Sequence, residues 1–152
     1  MTSKKLISKL NKEKLSIALA ESCSAGYASY LLTKTAGASK VFAGGIIVYS
    51  LPSKEKFFNI PSSTLKKTQG VSAAIATTLA KKVRKEFSSD IGASIVGFAG
   101  PTASKGVKAG TIFLGLSTNN NTLSKKIIIR GSRNQVRKKA SSLLLELIYK
   151  NI

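Results

Sequence analysis

Short apolar runs that end abruptly alternate along this chain with longer stretches whose apolar residues recur at helical spacing. That alternation constrains the fold more than any single residue, because strands buried on both faces need helices on both sides to cover them. Leu15–Ala20 is apolar at nearly every position and includes β-branched Ile17. Gly44–Tyr49, Ala93–Phe98, Thr111–Ser117 and Ser124–Arg130 read as further strands, the last two joined by an Asn-rich turn at Asn119–Asn121. Helices are predicted over Ser3–Lys14, Ser24–Thr35, Lys54–Phe58, Ser72–Phe87 and Gln135–Lys150, and Pro61 opens a small turn or helix. Ser72 suits an N-cap ahead of Ile75, Leu79 and Val83. In the last helix, Val136, Ala140, Leu143, Leu144 and Leu147 share one face, with Arg137, Lys138 and Lys139 toward solvent. The pattern predicts one α/β domain over residues 1–152: a three-layer α/β/α sandwich around a mixed, mostly parallel sheet.

Composition narrows the chemistry such a domain can perform. Histidine is absent, which removes the commonest general base and the commonest transition-metal ligand. Only 6 residues are acidic, too few to favour a paired-carboxylate site or a dedicated cage for a divalent ion, so the expected mechanism uses no metal and no cofactor. Cys23 is the single cysteine and forms no intramolecular disulfide. With no apolar run long enough to span a bilayer, and an amphipathic rather than signal-like amino terminus, the expected setting is the cytoplasm, away from membranes. The formal net charge of +19 favours anionic partners, nucleic acid among them, yet the basic residues are dispersed and no nucleic-acid-binding motif accompanies them.

Three loops invite a functional reading because each follows an apolar strand: AESCSAG around Ser22, GGIIVYSLPSK from Gly44, and VGFAGP from Val96. Ligand sites in open α/β sheets collect beyond the carboxyl ends of parallel strands, where these loops would converge. A serine at the first break could be a nucleophile set beside unpaired helix N-terminal amides, although Ser22 or Ser24 also suits a simple N-cap. Without histidine the base must be another group, and a lysine of lowered pKa can serve. Lys54 is the candidate by position, against the ordinary role of a solvated surface lysine. Tyr49 could donate a hydrogen bond to a lysine–serine pair, lie over a flat substrate ring, or simply pack at the sheet edge. Gly45 and Gly100 fit ordinary turns equally well.

The segments AESCSAG, FAGGIIVYSLPSK, Val71-Ser72, GFAGP, AGTIFLGL and RGSRNQVR, in this order and spacing, resemble the C-terminal domain of the competence/damage-inducible protein CinA. That family includes stand-alone nicotinamide-nucleotide amidases, which convert nicotinamide mononucleotide to nicotinate mononucleotide and ammonia. The resemblance implies a serine amidohydrolase in which Ser22 is the nucleophile, Lys54 its base and Tyr49 an assisting group. It further implies oxyanion and substrate contacts from Cys23, Ser24, Ala25, Gly26, Gly45, Gly97, Ala99 and Gly100, with Arg133 or a nearby lysine on the substrate phosphate. A symmetric homo-oligomer, with a dimer first, is expected by the same similarity. The family usually has Gly at the position of Ala25, Asn at Leu51, a Gly-Ala pair at Gln69-Gly70, an acid at Ala73 and Asp at Ser132. A non-catalytic nucleotide- or nucleic-acid-binding protein on the same fold is the competing reading.

Overall fold

In a computed structural model that describes residues 3–152, the first apolar run becomes strand β1 (Ile17–Glu21), buried at every residue. Met1 and Thr2, the first residues of the expected domain, lie outside the described residues. Strands β2 (Phe42–Ile47) and β3 (Ile91–Gly97) flank β1 and run parallel to it. Strand β4 (Thr111–Ser117) is antiparallel to β3 and β5 (Thr122–Ile128) antiparallel to β4, in the order β2-β1-β3-β4-β5. Four strands therefore point the same way and β4 alone opposes them, so the sheet is mixed, as the sequence predicts.

Side chains of a strand alternate between the two faces of a sheet, and each face here has its own core. Ile17 and Leu19 of β1, with Ile91, Ala93 and Ile95 of β3, pack under α1 (Ser3–Glu13), α2 (Tyr27–Thr33) and α6 (Arg133–Lys150). Ala18, Ala20 and Val96 face the other layer, built from α3 (Leu51–Phe58), α4 (Ser62–Thr68) and α5 (Ala73–Glu86). Small residues let α5 approach the sheet closely. A Cβ at Gly115 would collide with the Ala76 carbonyl, which also accepts a 2.6 Å hydrogen bond from Ser94 Oγ. Ser72 caps α5 as expected, its side chain accepting from the Ile75 amide at 3.1 Å.

The boundaries that differ from expectation have local causes. Strand β2 begins at Phe42, not Gly44, because Phe42 pairs with Ile17 across a register shift, and the chain leaves the sheet after Ile47. Helix α2 begins at Tyr27, not Ser24, because Ala25 (φ 49°) and Gly26 (φ 90°) are left-handed and cannot continue a helix. Helix α3 starts earlier than Lys54: Ser50 and Ser53 form a reciprocal capping box, and Pro52 fits the first turn. The expectation that Arg137 faces solvent is not met. Its guanidinium is partly buried, and Nη2 donates to the Ser24 carbonyl at 3.0 Å.

Candidate active site

The carboxyl ends of β1, β2 and β3 open into one cleft of about 470 Å³, and the nucleophile candidate stands where β1 ends. The Ser22 amide still donates to Ile95 of β3 at 3.0 Å, so the residue is anchored by the sheet even though the chain turns immediately after it. The turn closes through the Ala25 amide on the Ser22 carbonyl at 3.0 Å. Neither Ser22 nor Ser24 caps α2. That work falls to Glu21, a buried residue that sequence reasoning missed, whose carboxylate accepts from the amides of Gly26 (3.0 Å), Ala28 (3.1 Å) and Ser29 (2.8 Å) and from Ser29 Oγ (2.6 Å). An anion at a helix start is favourable on both dipole and hydrogen-bonding grounds. The available signal was an acid closing an otherwise apolar strand.

Glu21 also decides which amides remain for a ligand. Gly26 is engaged by the carboxylate and Ala25 by the Ser22 carbonyl, so these two expected oxyanion donors are already paired. The amides of Cys23 and Ser24 donate to no other residue among those described, and Cys23 lines the cleft. Of these two residues Cys23 faces the cleft, while Ser24 is fully buried behind it.

Lys54 is 2% exposed despite its charge. Position in the first turn of α3 points it inward, and its Nζ donates to Ser22 Oγ at 3.0 Å and to the Val48 carbonyl at 2.9 Å. Burial draws the amine down from 10.5 to about 8, opposed by the neighbouring Cys23 thiol. Burial pushes that thiol up to about 11, against the pull of its own backbone amide and of the Lys54 and Arg133 charges. The residue beside the candidate nucleophile is thus a poor thiolate, whereas Ser22 has an amine within proton-transfer reach.

The other expected residues divide between the cleft and the scaffold. Gly97, Ala99 and Gly100 line the same cleft as Lys54, and Gly100 is left-handed at φ 87°. Arg133 stands at the rim, donating to the Gly100 carbonyl at 2.7 Å and to the Tyr49 hydroxyl at 2.5 Å. Tyr49 lines the cleft but is 55% exposed; its hydroxyl meets Arg133 and makes no hydrogen bond to Ser22 or Lys54, contrary to the expected donation to that pair. Gly45 lies outside the cleft. It sits within β2, where a Cβ would stand 3.1 Å from the Leu19 carbonyl and 3.2 Å from Ser29 Oγ, so its smallness serves the approach of α2. Gly70, not singled out as a site residue, packs directly against the Lys54 stem. Among the described residues no three His, Cys, Asp or Glu side chains gather to hold a metal ion, and no helix is long and apolar enough to cross a membrane.

Comparison with known proteins agrees with the fold. The chain is 38% identical over 144 residues to a CinA-like protein of Kosmotoga olearia, covering 94% of this chain and 35% of that protein. It thus spans about a third of the length of the curated relatives it matches. Among solved structures, the competence or damage-inducible protein from Enterobacter asburiae superposes with a TM-score of 0.93 at 26% identity, over 99% of this chain and 98% of that one. A CinA superfamily protein from Escherichia coli gives 0.94 at 20% identity, over 99% and 88%, and speaks to the fold alone. The family model described as the CinA C-terminal domain matches residues 1–152, and the chain belongs to that family.

Proposed function

We propose that this protein hydrolyses the carboxamide of nicotinamide mononucleotide, yielding nicotinate mononucleotide and ammonia, by a serine–lysine mechanism without metal or cofactor. The observation that carries this reading is the buried amine of Lys54, 3.0 Å from Ser22 Oγ in a cleft whose size suits a small ligand. A neutral amine keeps one N–H on the Val48 carbonyl and offers its lone pair to the Ser22 hydroxyl. Ser22 Oγ then attacks the carboxamide carbon, and Lys54 takes the hydroxyl proton. The oxyanion of the tetrahedral intermediate lies against the Cys23 and Ser24 amides. Collapse breaks the C–N bond, Lys54 returns the proton to the departing ammonia, and water entering on the same side, deprotonated by Lys54, cleaves the ester and restores Ser22.

Binding would fall to the rim. Arg133, already held by Gly100 and Tyr49, is placed to exchange one of those partners for a substrate phosphate, and Tyr49 offers an exposed aromatic face to the pyridine ring. The test is ammonia release from nicotinamide mononucleotide by wild type and by Ser22→Ala. Loss of about 10³-fold or more in kcat is expected for removing a nucleophile. Equal rates would take Ser22 out of the mechanism, and no turnover by wild type would end the amidase reading.

A further inference from the structure

Lys54 is held by more than its two hydrogen bonds. Gly70, buried and left-handed at φ 68°, follows α4, where its amide donates to the Leu65 carbonyl at 3.0 Å. A Cβ built there would stand 2.8 Å from Leu51 Cδ2, 3.3 Å from Lys54 Cδ and 3.4 Å from Lys54 Cε. The space denied to a side chain at position 70 is thus the space that the Leu51 methyl and the Lys54 methylenes share. Leu51 is half-buried and lines the cleft next to Lys54, one turn earlier on α3. Aliphatic stems of lysine lie readily along apolar surface, and here that surface ends where the amine meets Ser22.

Other charged groups do not account for the state of this amine. Cys23 approaches from the β1 turn, Glu21 is turned onto the α2 amides, and Tyr49 and Arg133 bond each other at the rim. Glu55 and Lys56 on α3, and Lys66 and Lys67 on α4, are exposed.

We propose that Leu51 and Gly70 are a matched pair of positioning residues, a branched apolar wall and the gap it fills, which keep the Lys54 stem dry and aim its amine at Ser22. The effect on turnover rests on the amidase reading; the effect on the amine does not. Two readouts separate them: NMR titration of the Lys54 side chain, its signal identified by loss in Lys54→Met, and the pH profile of kcat and KM for nicotinamide mononucleotide. Leu51→Asn, nearly the same size but polar, is expected to raise the titration midpoint by on the order of one unit, and the alkaline-rising limb of kcat should follow while KM changes little. Gly70→Ala should lower kcat by about 10- to 100-fold through misplacement of the amine, and Leu51→Ala in that background should recover most of the plateau kcat by making room, with the midpoint raised as in Leu51→Asn because the wall is gone.

An unmoved Lys54 titration in Leu51→Asn, or a folded Gly70→Ala protein that Leu51→Ala does not rescue, overturns the pairing. Should Gly70→Ala not fold, the Leu51→Asn titration decides alone. A wild type without amidase activity, whose Lys54 signal still moves with Leu51→Asn, removes the proposed function and leaves the pair standing.

Discussion

Keeping an amine in a dry cleft opposes folding, and Lys54→Met should reveal by how much. The amine titrates near 8 in the folded chain and near 10.5 when unfolded, a difference worth about 3 kcal/mol at roughly 1.4 kcal/mol per unit. Below pH 8 both states hold the proton and the folded state bears the whole penalty. Between pH 8 and 10.5 the unfolded chain still binds a proton that the folded chain has released, so wild-type stability gains that amount as pH rises through the window. Methionine preserves most of the stem volume and removes the charge, but forfeits the hydrogen bonds to Ser22 and Val48, worth about 1 kcal/mol each. At pH 7 the variant should therefore be more stable by about 1 to 2 kcal/mol while releasing no ammonia. Urea unfolding of both proteins at several pH values supplies the assay, since other titrating groups cancel in the difference. The variant's advantage should shrink and then reverse by about pH 10.5, a swing of about 3 kcal/mol. A difference that stays flat across the window would refute the buried, easily deprotonated amine. The same ionisation sets the expected rate profile: ammonia release by wild type should rise through pH 8 and level off above it, because the neutral amine is the base.

Three further outcomes follow from groups around the cleft. Ala25→Gly relieves a left-handed alanine worth about 1 to 2 kcal/mol, partly offset by the added freedom of the unfolded chain, for a net gain of about 1 kcal/mol in thermal or urea unfolding. Glu21→Gln sets an amide where four donors converge, and should lower the unfolding free energy by about 2 to 3 kcal/mol; an unchanged urea midpoint would contradict its capping role. Arg133→Ala should raise KM for nicotinamide mononucleotide about tenfold or more with kcat little altered, whereas a collapse of kcat at constant KM would move Arg133 from binding into the chemistry.

Ser22 and Lys54 could be found from sequence because both depend on strand ends, and strand ends leave marks. The apolar run of β1 stops at Glu21, and α3 opens with a capping serine and a proline four and two residues ahead of Lys54. The same marks do not reveal which polar groups stay unpaired once the loops meet. The family resemblance implied Ala25 and Gly26 as oxyanion contacts, but a carboxylate reaching forward from Glu21, and the Ser22 carbonyl, take their amides. Only the reach of one side chain across its own turn decides that the Cys23 and Ser24 amides are the ones left unpaired, and periodicity does not encode reach. Arg137 is a second case: helical spacing placed it among the solvent-facing residues of α6, yet the start of that helix lies against the nucleophile turn and draws the guanidinium onto the Ser24 carbonyl. Gly45, a contact implied by the family resemblance, does not reach the site. Pairing of β2 from Phe42 sets that glycine in mid-strand beneath Ser29, several residues short of the cleft. Gly70 escaped notice for the converse reason, since its value lies in what it lacks: an absent side chain bears on catalysis only once Leu51 and Lys54 are seen to share the vacated space. Loop order thus foretells where chemistry gathers in such a sheet, while the supply of unpaired donors and the dryness of the base are properties of contacts between loops.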